Sequence, residues 1–293
     1  MKSNWDKDVS YLNVNEKEYC FFKLEDMNTR GVELFDKYQS AQPFPHVVID
    51  DFLTPEILDK CLDFFPENND PESVTFNRDQ ERFKTGFNPD YLPASLRSLF
   101  YSLNSRPFLS FLENLTGIQG LISDPYFVGG GFHRISQGGH LSVHADFNHH
   151  GRLDLERRVN VLIYLNKNWD DEFGGQIELW DEDMKNCVVS ETPEFNRCVI
   201  FNTTSNSYHG NPRPINHPEN IPRRSIALYY YTATWNGLQR DHSTQFKTRP
   251  KSIDRVDWQV KLKELVDDIF PPIIVRNYRR VVRKICTVFR RKN

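Results

Sequence analysis

The run HLSVHADF (140–147) holds a histidine and an aspartate two positions apart, His144 and Asp146. On an extended strand, residues i and i+2 project from the same face, so one imidazole and one carboxylate would point together. With 9 His and 40 acidic residues in 293, about one His-x-acid triplet is expected by chance, so the pair alone carries little weight. A second triplet, His217-Pro218-Glu219, lies in a proline-rich stretch where no central strand can form, which makes it the better candidate for coincidence. Residues further along the chain add weight to the first triplet. His209 stands in YHGNPRP, after the apolar run CVIFN and the polar TTSNS. Two imidazoles and a carboxylate can hold one iron(II) and leave coordination positions open for substrate and dioxygen. Beyond His209, PRRSIALYYYT brings an arginine onto a late strand. A guanidinium at that depth needs an anion, and its fork suits a carboxylate.

Strands must position these groups. From Pro125 to Thr234 the chain shows short apolar or alternating runs: YFVGGGFHRI, HLSVHADF, RVNVLIYL, GGQIELW, NCVVS, CVIFN and SIALYYYTA. Turn residues separate them, SQGG and NPRPINHPENIP among the breaks. Seven or eight strands in about 110 residues predict a barrel or jelly roll. Upstream, FPHVVIDDFL (44–53) reads as a buried strand, and Thr54-Pro55 opens a helix with Thr54 as its cap. Ile57, Leu58, Cys61, Leu62 and Phe65 follow at helical spacing. Residues 93–103 and 106–115 predict two more helices, the second capped by Ser105 and stopped at Gly117. Residues 66–90 read as a loop, and residues 1–40 are polar with no clear period. The fold class expected is α+β with a mainly β core. Its parts are an N-terminal polar extension (1–43), a domain (44–236) with helical support (54–117) and a jelly-roll core (125–235), and a C-terminal helical extension (237–293).

The segments HADF, VNVLIYLNKNWDDEFGGQIELW, CVIFN…YHGNPRP and RRSIALYYYT, in that order, resemble the Fe(II)- and 2-oxoglutarate-dependent dioxygenases, in particular their prolyl-4-hydroxylase-like branch. FPHVVIDDFL resembles the strand that opens many such domains. The resemblance implies a double-stranded β-helix of cupin-like type, with iron held by His144, Asp146 and His209. It also implies an arginine that binds the distal carboxylate of 2-oxoglutarate. Arg223 matches the family pattern of Arg, any residue, then a small residue, with Ser225 as the small one; strand alternation agrees, and Arg224 remains the competitor. Tyr164 matches a family tyrosine that hydrogen-bonds the same carboxylate. The cofactors implied are iron(II), 2-oxoglutarate as cosubstrate and O2, with ascorbate as an optional accessory. The activity implied is hydroxylation of an unactivated C–H bond, with release of succinate and CO2. A prolyl or other protein residue is the leading substrate class; a small molecule or glycan, or a non-catalytic cupin-like binding module, are the alternatives. Asp146 stands where related halogenases carry a small residue, which disfavours halogenation.

Several conspicuous residues have plainer readings. His140, His149 and His150 are expected in turns and loops, Arg134 facing away from the pocket, Trp169 and Trp180 in packing, and Gly174-Gly175 in a turn. The formal net charge of −3 indicates no nucleic-acid partner. No run approaches the roughly 18 apolar residues of a membrane span, and the start MKSNWDKDVS has no apolar core of a secretory signal. Five scattered cysteines without a CxxC pair fit reduced thiols and a cytoplasmic location. Residues 273–293 hold eight Lys/Arg and no acid, with apolar and basic side chains on opposite helical faces. Such a tail would dock on the domain or contact an anionic membrane or acidic partner.

Overall fold

The computed structural model describes residues 22–66, 73–236, 241–252 and Asp254. The strands are β1 (His46–Ile49), β2 (Val74–Arg78), β3 (Glu81–Phe87), β4 (Ile122–Ser123), β5 (Gly131–Ala145), β6 (His149–His150), β7 (Leu155–Tyr164), β8 (Ile177–Trp180), β9 (Cys187–Glu191), β10 (Cys198–Asn202), β11 (His209–Asn211), β12 (Arg223–Thr232) and β13 (Gln245–Phe246). Four α-helices precede most of them: α1 (Leu24–Ser40), α2 (Pro55–Asp63), α3 (Ala94–Leu103) and α4 (Arg106–Thr116). The strands form one antiparallel sheet whose main path runs β1-β10-β7-β12-β5-β11-β8-β9. This sheet curls on itself in jelly-roll fashion, as expected. None of the described helices is long and apolar enough to cross a membrane.

The period of two along each strand divides the sheet into two faces. Val159, Val161 and Ile163 of β7, Cys198 and Ile200 of β10, and Ile226, Leu228 and Tyr230 of β12 share one core with Phe108, Phe111, Leu112 and Leu115 of α4. Burying one such aromatic or aliphatic side chain stabilises the fold by about 1.5–3 kcal/mol. The alternate residues face the other way. Tyr164, Val199 and Phe201 pack there with Ile177 and Leu179. Helices therefore cover one face, which leaves the other free to line a pocket.

Several expectations are corrected. The polar N-terminal stretch contains α1, with acids Glu25 and Asp26 in its first turn and Lys37 in its last, favourable to the helix dipole. Its buried residues, Met27, Gly31 and Tyr38, form a stripe too thin to register as apolar. The region 66–90 is not only loop, because β2 and β3 form a hairpin that pairs with β5. SQGG does not separate two strands: β5 runs through it, with Gly138 at φ 73°. Thr54 and Ser105 precede their helices without side-chain capping bonds. Gly117 does end α4 in the left-handed conformation, φ 69°. His149 and His150 form a short strand against β7 instead of a loop. Of the helical extension expected over 237–293, residues 241–252 and Asp254 are described and contain β13, and the basic tail 273–293 lies outside the described residues.

Candidate metal and cosubstrate site

His144 near the end of β5 and His209 at the start of β11 are direct cross-strand partners. Their ring centroids are 4.5 Å apart. Asp146 follows one residue beyond β5 and turns its carboxylate between them. Oδ1 lies 3.4 Å from His144 Nε2, and Oδ2 lies 3.3 Å from His209 Nε2. One ligand atom from each of the three residues falls within 4.8 Å of the others, the one such grouping among the described residues.

Backbone carbonyls orient both imidazoles. His144 Nδ1 lies 2.9 Å from the Ser142 oxygen, and His209 Nδ1 lies 2.9 Å from the Ser207 oxygen. A carbonyl only accepts, so each Nδ1 is the donor, and in the neutral ring each Nε2 keeps its lone pair. Burial, then the neighbouring His209, lowers the His144 pKa, which favours that neutral form. Burial alone would raise the Asp146 carboxyl, but the Arg157 guanidinium beside it holds it well below the usual range. Two nitrogen lone pairs and an anionic carboxylate thus converge on one point. Such lone pairs repel unless a cation lies between them, so the donor set fits a divalent metal.

Arg223, Ser225 and Tyr164 meet on the same inner face, Ser225 being the cross-strand partner of Tyr164. All three are buried. The Arg223 guanidinium lies 4.8 Å from the centre of the Tyr164 ring. Its Nε donates to the Gly175 carbonyl at 2.8 Å. No carboxylate of the described residues lies within ion-pair distance of it. The Tyr164 hydroxyl is buried and has no hydrogen-bond partner. Burial is the main cause that pushes its pKa up to about 12, with the Arg223 charge acting in the opposite direction. A buried cation without a counter-ion beside an orphaned hydroxyl fits a ligand carboxylate. Arg224 points to the other face, half-buried over the Phe65 ring at 5.4 Å.

The other marked residues, Gly175 apart, are engaged elsewhere. His140 Nε2 donates to the Asp79 carbonyl, and His150 packs edge-on against Tyr231. Arg134 is the cross-strand partner of Arg224. Trp169 and Trp180 are buried, and His217 packs between Trp169 and Phe173. Gly174 and Gly175 both take positive φ in a turn. Cys61, Cys187 and Cys198 are free thiols.

Sequence reasoning missed Arg157, Asn160 and Gly175. Asn160 Nδ2 and Arg157 Nη2 both reach Asp146 Oδ2, at 2.7 and 2.9 Å. Phe246 of β13 also packs on the His144 ring, at 5.5 Å. No short motif marks these residues; three-dimensional proximity alone reveals them.

Comparison with known proteins agrees with this geometry. Residues 130–231 match the model of the 2OG-Fe(II) oxygenase superfamily. A stretch of 79 residues is 32% identical to prolyl 3-hydroxylase OGFOD1 of Mus musculus, covering 26% of this chain and 14% of that protein. The chain thus spans only a small part of that relative's length. Among solved structures, a Trichoplax adhaerens prolyl hydroxylase in complex with a hypoxia inducible factor peptide fragment superposes with a TM-score of 0.54. It is 20% identical, over 73% of this chain and 94% of that one.

Proposed function

Because residues 130–231 belong to the 2OG-Fe(II) oxygenase superfamily, we propose that this protein hydroxylates a prolyl or other protein residue, using one iron(II) and 2-oxoglutarate. The observation that carries the reading is the convergence of His144 Nε2, His209 Nε2 and the Asp146 carboxylate beside an unneutralised Arg223. A binding module that only kept the fold would have no use for both arrangements together. The likeness to prolyl hydroxylases supports a protein substrate over a small molecule or glycan.

When bound, iron and 2-oxoglutarate would supply the oxidising chemistry together with O2, one atom of which would enter the substrate C–H bond as hydroxyl and the other the succinate formed with CO2. The chain's own residues bind and orient. His144, Asp146 and His209 would hold the metal with three protein ligands, a number that leaves room for cosubstrate and dioxygen. Arg223 would take the distal carboxylate of 2-oxoglutarate through its remaining N–H groups, and the Tyr164 hydroxyl would donate a hydrogen bond to the same carboxylate. Ser225 lines the same face. Val199, Phe201, Ile177 and Leu179 make the surrounding wall apolar and limit water.

The test is a screen of candidate peptides for substrate-dependent succinate release by the iron-loaded protein, with mass spectrometry for a gain of one oxygen. Peptide oxidation that requires both iron and 2-oxoglutarate is expected. Failure of every peptide, with turnover of a small molecule or glycan, would overturn the substrate class.

A further inference from the structure

Asp146 is held by more than its place on the chain. Its Oδ2 accepts from Asn160 Nδ2 at 2.7 Å and from Arg157 Nη2 at 2.9 Å. Asn160 Oδ1 in turn accepts from Arg157 Nε at 3.1 Å and Nη2 at 2.8 Å. The guanidinium lies 3.6 Å from the centre of the Tyr229 ring and 4.4 Å from that of Phe147, two rings set edge to face. Its residue is only 2% exposed.

Simple alternation would send Arg157 and Asn160, three positions apart, to opposite faces of β7. A bulge prevents this. Tyr230 pairs with Val159, but its neighbour Tyr231 pairs with Arg157, so Arg158 is the extra residue. The bulge returns Arg157 to the face of Asn160 and Asp146, while Arg158 extends toward Glu156 and Thr232. Bulges beside functional sites commonly re-aim a side chain in this way.

We infer that Arg157, acting with Asn160, is a positioning residue that occupies Oδ2 of Asp146 and restricts this carboxylate to one metal bond through Oδ1. The inference rests on the proposed iron and 2-oxoglutarate reading. In an octahedral site, two histidines and a one-oxygen carboxylate leave three positions, which suffice for a two-oxygen cosubstrate and dioxygen. A carboxylate binding through both oxygens would fill one of them. Stability gives a weaker reason for the arrangement, since apolar replacements of buried ion pairs are often as stable. Each carboxylate oxygen approaches one imidazole, Oδ1 to His144 Nε2 at 3.4 Å and Oδ2 to His209 Nε2 at 3.3 Å, but only Oδ2 is also taken by two donors.

The experiment compares wild type with Arg157→Leu, Arg157→Lys and Asn160→Ala. Mn(II) affinity is measured by calorimetry, and 2-oxoglutarate affinity by the visible charge-transfer band of the anaerobic iron(II) chelate. Arg157→Leu is expected to keep Mn(II) affinity within about tenfold but to weaken 2-oxoglutarate chelation by about 10–100-fold. Asn160→Ala should show a smaller effect of the same kind and provides the test if the leucine variant does not fold. Arg157→Lys, with one donor still able to reach Oδ2, should recover most of the band. Unchanged chelation in Arg157→Leu, or in Asn160→Ala should the leucine variant not fold, would overturn the inference. So would parallel loss of Mn(II) binding and chelation, because the residue would then merely hold the carboxylate in place. Absence of both signals in the wild type would instead sink the iron and 2-oxoglutarate reading itself.

Discussion

Gly175 and Arg223 are so close that a Cβ on the glycine would lie 2.9 Å from the arginine Cδ, while the Gly175 carbonyl accepts the Arg223 Nε–H at 2.8 Å. That Cβ would also lie 2.5 Å from Ile215 Cδ1, and φ at Gly175 is 75°. Gly175→Ala is therefore expected to shift the guanidinium and weaken 2-oxoglutarate binding by about tenfold, or 1.4 kcal/mol. Mn(II) affinity should stay unchanged. Calorimetric titration of the variant first with Mn(II), then of the Mn(II)-loaded form with 2-oxoglutarate, checks both.

Arg223→Ala should do more. Removing one partner of a buried charge pair typically costs about 3–5 kcal/mol, so the KM for 2-oxoglutarate should rise by orders of magnitude. Arg224→Ala, on the opposite face, should leave it nearly unchanged. Steady-state kinetics on the two variants decides between them, and the reverse result would move the anchor to Arg224.

His144→Ala and His209→Ala each remove one of the three proposed metal ligands. Both should lose Mn(II) binding and all succinate release, with a circular dichroism spectrum like that of the wild type. Full turnover in either variant would remove the metal assignment.

His133 gives a pH dependence separate from that of the proposed metal ligands. Burial, then the Lys84 charge, holds its pKa well below the ordinary value, and the hydrogen bond to the Gly129 carbonyl opposes this only in part. Below pH of about 6.5 the unfolded chain takes up a proton that folded His133 refuses, so stability falls as pH drops. Urea unfolding at pH 7.5 and 5.5 should show a larger loss for wild type than for His133→Gln. Equal losses would mean that His133 titrates normally in the fold.

Much of the site was legible because its chemistry follows strand periodicity. His144 and Asp146 keep the i, i+2 relation, and Arg223 and Ser225 share a face as alternation requires. The order of the apolar runs likewise foretold most of the core strands. Features that break periodicity were not legible. The bulge at Arg158 hides Arg157 from any alternating pattern. The β2–β3 hairpin is nearly all polar or exposed, so it lacks the apolar alternation that marks a half-buried strand. In α1 the buried Gly31 packs directly on α4, where a Cβ would lie 2.6 Å from the Phe111 carbonyl oxygen, and a hydrophobicity pattern does not count it.

That close approach of α1 to α4 decides where a recombinant fragment can begin. Asn28 Oδ1 accepts from Ser110 and Asn114, Gln39 donates to the Thr116 carbonyl, and the Tyr38 hydroxyl reaches Asn202 on β10. An expression boundary at Phe44, where the sequence pattern opens the domain, would delete every one of these contacts. It would also uncover part of α4 along its length, turning a buried seam into an adhesive strip. Aggregation of such a shortened product would reflect the lost seam and would say nothing about the barrel's own competence to fold.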